Sequence, residues 1–107
     1  IAVAQVVMNR VADSSFPDTV CAVVKQGAVL ALNRCHFSWW CDGKSDRPDD
    51  TRAWEESKLL AGKILAGDLD DPTQGALWYH ADYVEPVWRA GKAPGPKIGR
   101  HLFYARP

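Results

Sequence analysis

"GDLDDPTQGALWYHA", residues 67–81, is where the chain changes its period. Gly67 closes a long amphipathic stretch, "DLDDPTQG" is a polar turn, and "ALWYHA" reads as a short strand. A second stretch of the same kind, "RHLFYA" at 100–105, follows "PGPKIG", and the two predict an antiparallel strand pair. Between them, "DYVEPVWRAGKAPG" reads as a single turn carrying Trp88, followed by a Pro- and Gly-rich loop.

Ahead of residue 67 the period is helical. "IAVAQVVMNRV" is in helical register from its first residue, with Ile1, Ala4, Met8 and Val11 on one stripe, Val3 and Val7 alongside, and Gln5 and Asn9 turned away. No capping residue stands ahead of it, so the chain is expected to begin inside a helix, with further residues preceding Ile1. "ADSSFPDTV" then connects to a second short helix, capped by Asp18 or Thr19, running to Gln26 and stopped by Gly27. Residues 28–48 have no sustained period and contain "RCHFSWWCDG" at 34–43. Asp49 or Asp50 caps the longest helix, whose apolar face is Trp54, Leu60, Ala61, Ile64 and Leu65. Glu55 and Glu56 fall in its first turn, where they complement the helix dipole.

Helices followed by strands in 107 residues, 47% of them hydrophobic, predict one α+β domain over 1–107, mostly helical and built on a single core. The net charge is zero and neither sign forms a block, which argues against a nucleic-acid partner. No apolar run approaches the length needed to span a bilayer. "DLDDPTQG" lacks the glycine position and the terminal glutamate of a calcium loop, so its aspartates read as turn and cap residues.

Three cysteines, Cys21, Cys35 and Cys41, suit a compartment outside the cytoplasm. Cys35 and Cys41 are close enough for a small disulfide loop, with pairing of Cys21 to either as the alternative. A zinc site from Cys35, His36 and Cys41 matches no usual knuckle spacing. His36, His80 and His101 all sit beside aromatics, and strand alternation puts His80 on the face of Trp78 and His101 on the face of Phe103. Of the five tryptophans, Trp54 belongs to the helix stripe and reads as core. Trp39 and Trp40 are adjacent and point to opposite sides of an extended segment; Trp78 and Trp88 have loop-edge settings. Exposed rings beside Ser, His and Asp suit stacking on the apolar faces of sugars, with a protein interface as the competing use.

"AVAQVVMNRV", "FPDTVCAVVKQ", "CHFSWWCDG", "DPTQGALWYHADYV", Trp88 and "IGRHLFY" occur in the order in which they stand in the SleB-like cell wall hydrolases, a group that includes spore-cortex-lytic enzymes. The chain resembles that family over practically its whole length. The resemblance implies a small lysozyme-like α+β domain, extracytoplasmic and monomeric, that acts on peptidoglycan glycan strands as a lytic transglycosylase and uses no metal or cofactor. In the family's mechanism one glutamate protonates the oxygen of the β-1,4 bond between N-acetylmuramic acid and N-acetylglucosamine. As a carboxylate it then helps the muramyl C6 hydroxyl close on C1. The family's acid lies ahead of the helix that starts here at Ile1, so no residue of this chain takes its role. His36, Phe37 and Ser38 stand at the family's "QFS" string, with histidine for glutamine. Resemblance and chemistry together make the loop with His36, Phe37, Ser38, Trp39 and Trp40, pinned by Cys35 and Cys41, one wall of a glycan cleft. Gly75, Trp78, Tyr79, His80 and the strand of His101 and Phe103 form the other, with Trp88 among the stacking rings. The alternatives are a non-catalytic peptidoglycan-binding module and a muramidase-type hydrolase.

Overall fold

A computed structural model describes residues 1–26, 36–41, 43 and 49–107, the side chains of Ser38 and Cys41 excepted. The helices are α1 (Ala2–Ala12), α2 (Val20–Val24) and α3 (Thr51–Leu65), and the strands are β1 (Trp78–Ala81), β2 (Ala93–Ile98) and β3 (His101–Ala105). Single 3₁₀ turns cover Ser38–Cys41 and Val87–Arg89, the latter at the turn predicted around Trp88. Two predicted caps form: the Thr19 hydroxyl accepts from the Ala22 amide at 3.2 Å and the Asp50 carboxylate from the Ala53 amide at 3.0 Å. Gly67 ends the long helix at φ 75°, a left-handed conformation that glycine adopts without strain. The Gly27 stop, Cys35 and the turn signals at 44–48 lie outside the described residues.

The sheet has three strands rather than two, in the order β1-β3-β2, both pairings antiparallel. β2 is the "APGPKI" segment that reads in the sequence as a loop. As an edge strand it tolerates prolines, which lack the ladder donor, and its register shifts between Pro94 and Lys97. Gly95 belongs there because a Cβ at that position would meet the Phe103 carbonyl oxygen at 3.0 Å.

Helix α1 runs through the middle of the fold. Its stripe assignment needs correction: Gln5, Val6, Val7 and Arg10 are the buried positions, and Asn9 is engaged rather than turned to solvent. The single-stripe reading assumes one covered face, whereas α1 packs on α2 and α3 on one side and on β1 and its leading loop on the other. Val6, Val7, Val23, Phe37, Ala76 and Phe103 form the core between them.

The long helix is corrected in the opposite sense. Among its residues only Ile64 is buried, and Trp54, predicted as core, is 45% exposed with the Lys58 ammonium 5.6 Å from its ring centroid. Its stripe is real, but only the last turns reach α1, where Ala61, Ile64 and Leu65 line a cavity with Val3 and Val7. Glu55 and Glu56 lie beyond the first turn and pair instead with Lys58 at 2.8 Å and Arg52 at 3.3 Å. Such exposed pairs contribute little.

The polar turn before β1 is tied to α1 by a single carboxylate. Asp71 accepts from the Thr73 amide and hydroxyl (2.8 and 2.6 Å), the Gly75 amide (2.9 Å) and Asn9 Nδ2 (2.9 Å), which also donates to the Ala76 carbonyl at 2.9 Å. Burial pushes the Asp71 pKa up, but hydrogen bonds from Thr73, Asn9 and Gly75 together outweigh it, and the net displacement is downward. A carboxyl with a depressed folded pKa stabilises the fold above its unfolded value of about 4 and loses that contribution as pH falls through the folded value. Asp71→Ala should therefore cost about 2–3 kcal/mol at neutral pH in denaturant titrations, with the difference from wild type shrinking in acid.

Candidate active site

Strand alternation sorts the predicted site residues onto two faces of the sheet. Tyr79 pairs with Phe103 and Ala81 with His101, so these side chains share the face turned to α1. Trp78 pairs with Tyr104 and His80 with Leu102 on the opposite face. One cleft walled by Trp78, Tyr79 and His80 together is therefore not formed, because neighbours in a strand point to opposite sides.

The inner face carries a continuous band of rings. Phe37 lies 5.9 Å from Trp39 and 6.0 Å from Tyr79, centroid to centroid. Tyr79 stacks on Phe103 at 5.8 Å and meets His101 edge-on at 5.3 Å. The 3₁₀ turn, closed by the Trp40 amide donating to the Phe37 carbonyl at 3.0 Å, splits the neighbours in a way that an extended segment would not. Phe37 is fully buried and anchors the turn, Trp39 is 42% exposed, and Trp40 is half-buried with the Lys25 ammonium 5.3 Å from its ring. The Ser38 hydroxyl and the proposed Cys35–Cys41 bridge lie outside the described residues; Cys21 is exposed and unpaired.

Beneath the band sits Arg10, only 5% exposed. Its Nε donates to the Leu77 carbonyl at 2.7 Å, and its guanidinium carbon is 4.6 Å from the Phe16 ring and 5.0 Å from the Phe37 ring. Among the described residues Nη1 has no hydrogen-bond partner. Burial lowers the Arg10 pKa against the opposing pull of Tyr79. At the band's exposed edge, desolvation and then the Arg10 charge lower the His36 pKa, so this imidazole is neutral at pH 7. Burial raises the Tyr79 pKa, opposed by Trp39 and Arg10.

The outer face is filled by its own aromatics. His80 stacks on Tyr104 at 5.3 Å, and Trp88 meets both edge-on at 5.8 and 5.9 Å. Nδ1 of His80 donates to the Ala81 carbonyl at 2.7 Å, which leaves Nε2 facing the Tyr104 hydroxyl at 2.8 Å. Trp78 contacts Phe16 and carries the Lys92 ammonium 3.8 Å from its ring centroid. Gly75, at φ 84°, belongs to the Asp71 turn.

Three carboxyls are displaced, all downward: Asp13 to about 2, through hydrogen bonds from Arg106 and the Ser15 amide, with Asp71 and Asp82 also lowered. Among the described residues no three His, Cys, Asp or Glu side chains gather in a metal-binding group. Neither Arg10 nor Tyr104 stands out as a site residue in the sequence. The one signal for Arg10 is a charge inside the apolar run "VVMNRV".

A helical layer against a small antiparallel sheet, with rings lining the seam, defines a small α+β domain of the lysozyme-like class. The family profile described as Cell Wall Hydrolase matches residues 1–104. The chain is 31% identical to the catalytic domain of the germination-specific lytic transglycosylase SleB from Bacillus anthracis, with a TM-score of 0.70 over 96% of this chain and 75% of that one. The catalytic domain of the Bacillus cereus SleB protein aligns with a TM-score of 0.66, also at 31% identity, over 96% of this chain and 71% of that one. No curated protein matches the chain. The chain belongs to the cell wall hydrolase family.

The two adjacent aromatics of the wall should separate in a thermal and chemical unfolding comparison. Phe37→Ala empties a core position and should cost about 3–5 kcal/mol. Trp39→Ala should cost about 1 kcal/mol, since much of that ring already faces water.

Proposed function

We propose that the chain is the peptidoglycan-cleaving domain of a lytic transglycosylase acting outside the cytoplasm on the β-1,4 bond between N-acetylmuramic acid and N-acetylglucosamine. Its general acid is a glutamate ahead of Ile1. The observation that carries this reading is the band Trp39–Phe37–Tyr79–His101, which presents one open indole beside the N-terminal half of α1. Trp39 lines the same cavity of about 290 Å³ as Val3 and Val7, so residues entering α1 through Ile1 come in next to this wall. Family membership and the likeness to two SleB catalytic domains support the same activity.

Each part of the wall has a chemical task. The Trp39 face stacks on the apolar face of a sugar ring, while Tyr79, His36 and His101 supply polar atoms for its hydroxyl and acetamido groups. Neutral His36, in the place of the family's glutamine, offers one nitrogen donor and one acceptor. Phe37 and Phe103 hold the wall in place before substrate arrives, so less ordering entropy is lost on binding.

The acid must be protonated to donate to the glycosidic oxygen and ionised to assist closure of the C6 hydroxyl on C1. The chain's own glutamates do not suit this work. Glu55 and Glu56 are exposed in ion pairs on α3, and Glu85 is exposed on the loop after β1. With the acid supplied from ahead of Ile1, one carboxyl serves both steps. The full-length protein acting on purified sacculi should release muropeptides with 1,6-anhydro ends, read by mass spectrometry. Reducing ends would make it a hydrolase, and retained binding without release would make it a binding module. Trp39→Ala should lower kcat/KM about tenfold, in line with the loss of a stacking contact of roughly 1–2 kcal/mol.

A further inference from the structure

The turn that carries the open indole also carries an imidazole. His36 is exposed, and its amide donates at 3.1 Å to the carbonyl of Gln26, just past α2, which fixes where the ring leaves the backbone. Its neighbour Phe37 is fully buried, with the Arg10 guanidinium carbon 5.0 Å from the ring, so His36 stands at the edge of a wall backed by a buried cation. The other described contacts of the turn bring no negative charge. Lys25, just past α2, places its ammonium on Trp40, and the sheet brings Tyr79 against Phe37 with His101 edge-on to Tyr79. Helix α3 shares the Trp39 cavity through Ala61, Ile64 and Leu65, none of them charged.

A neutral imidazole has one donor and one acceptor nitrogen, whereas an imidazolium has two donors and no acceptor. Protonation at position 36 therefore removes the one atom of that ring able to accept from a sugar hydroxyl or an acetamido N–H. It also adds a second positive charge near Arg10, whose burial leaves its field poorly screened. Desolvation first, and the Arg10 charge second, keep the His36 pKa below the ordinary histidine value of about 6.5. The neutral ring is the form present at neutral pH, and the change of charge comes as pH falls through the lowered value in mild acid.

We propose that His36 gates this wall by pH: the neutral ring engages the glycan through its acceptor nitrogen, and protonation in mild acid breaks that contact. The proposal rests on the peptidoglycan-cleaving reading above and adds a regulation of the same site. The glutamine of the family's string does not carry it, since an amide keeps donor and acceptor whether the medium is neutral or acid. The general acid must be protonated and His36 must not be. The first requirement limits cleavage on the alkaline side and the second on the acid side.

The test is kcat/KM of the full-length wild type and of His36→Gln on purified sacculi, from neutral pH down to about pH 5, a range that spans the histidine transition. Titration of the general acid is common to both proteins and cancels in their ratio. The ratio of wild type to His36→Gln should fall about fivefold toward acid, the loss expected for one hydrogen bond. Sedimentation binding to sacculi should show the same fall, because the contact is made with substrate and not with the acid. A ratio that stays level or rises toward acid overturns the proposal. Wild type that releases muropeptides with a level ratio loses only the gate, whereas no release at any pH removes the peptidoglycan reading and the gate with it.

Discussion

The buried guanidinium of Arg10 joins the two halves of this domain. Removing a charge from water costs several kcal/mol, and no carboxylate among the described residues offsets it. What holds it is one carbonyl of the chain entering β1 and two aromatic faces, one from the turn after α1 and one from the 3₁₀ turn. The cation can be accommodated only when Leu77, Phe16 and Phe37 are all in place, so helix, turn and strand are mutually conditional. Asn9, one residue earlier on α1, repeats the arrangement with Asp71 and Ala76, and the two adjacent polar residues fix how the helix lies on the sheet.

The candidate site inherits its rigidity from that seam. Phe37 is both a contact of Arg10 and the neighbour of Trp39, so the exposed indole is attached directly to the core. Tyr79 is held by Phe37, Phe103 and His101 on three sides. A wall so constrained can present flat apolar surface to a sugar without collapsing inward. The outer face is filled differently: Trp88 meets His80 and Tyr104 edge-on, and the Trp78 ring carries the Lys92 ammonium.

Much of this architecture is legible from residue order. Asp50 and Thr19 are caps because their side chains satisfy amides within three residues, a relation that needs no distant partner. The strands at 78–81 and 101–105 are readable from short aromatic-rich runs bounded by turn residues. β2 is not readable, because its two prolines argue against a strand and are tolerated only through its place at the sheet edge. The apolar stripe of α3 is legible, but its burial is not, since periodicity describes a face without saying whether anything covers it.

Local chemistry written along the chain therefore determined the three helices, two of the three strands, the caps, the turn at 67–75 and the family resemblance. Tertiary structure alone decided which aromatics share a surface. Trp78, Tyr79 and His80 are consecutive, yet the pleat sends Tyr79 to the band with Phe37 and Trp39 while its neighbours go to the far side of the sheet. It also decided that Asn9 and Arg10, polar residues on a helix of apolar character, are turned inward. Side-chain period is a property of one element, but burial belongs to the pair of elements that meet, and only packing shows where two faces of α1 are covered at once.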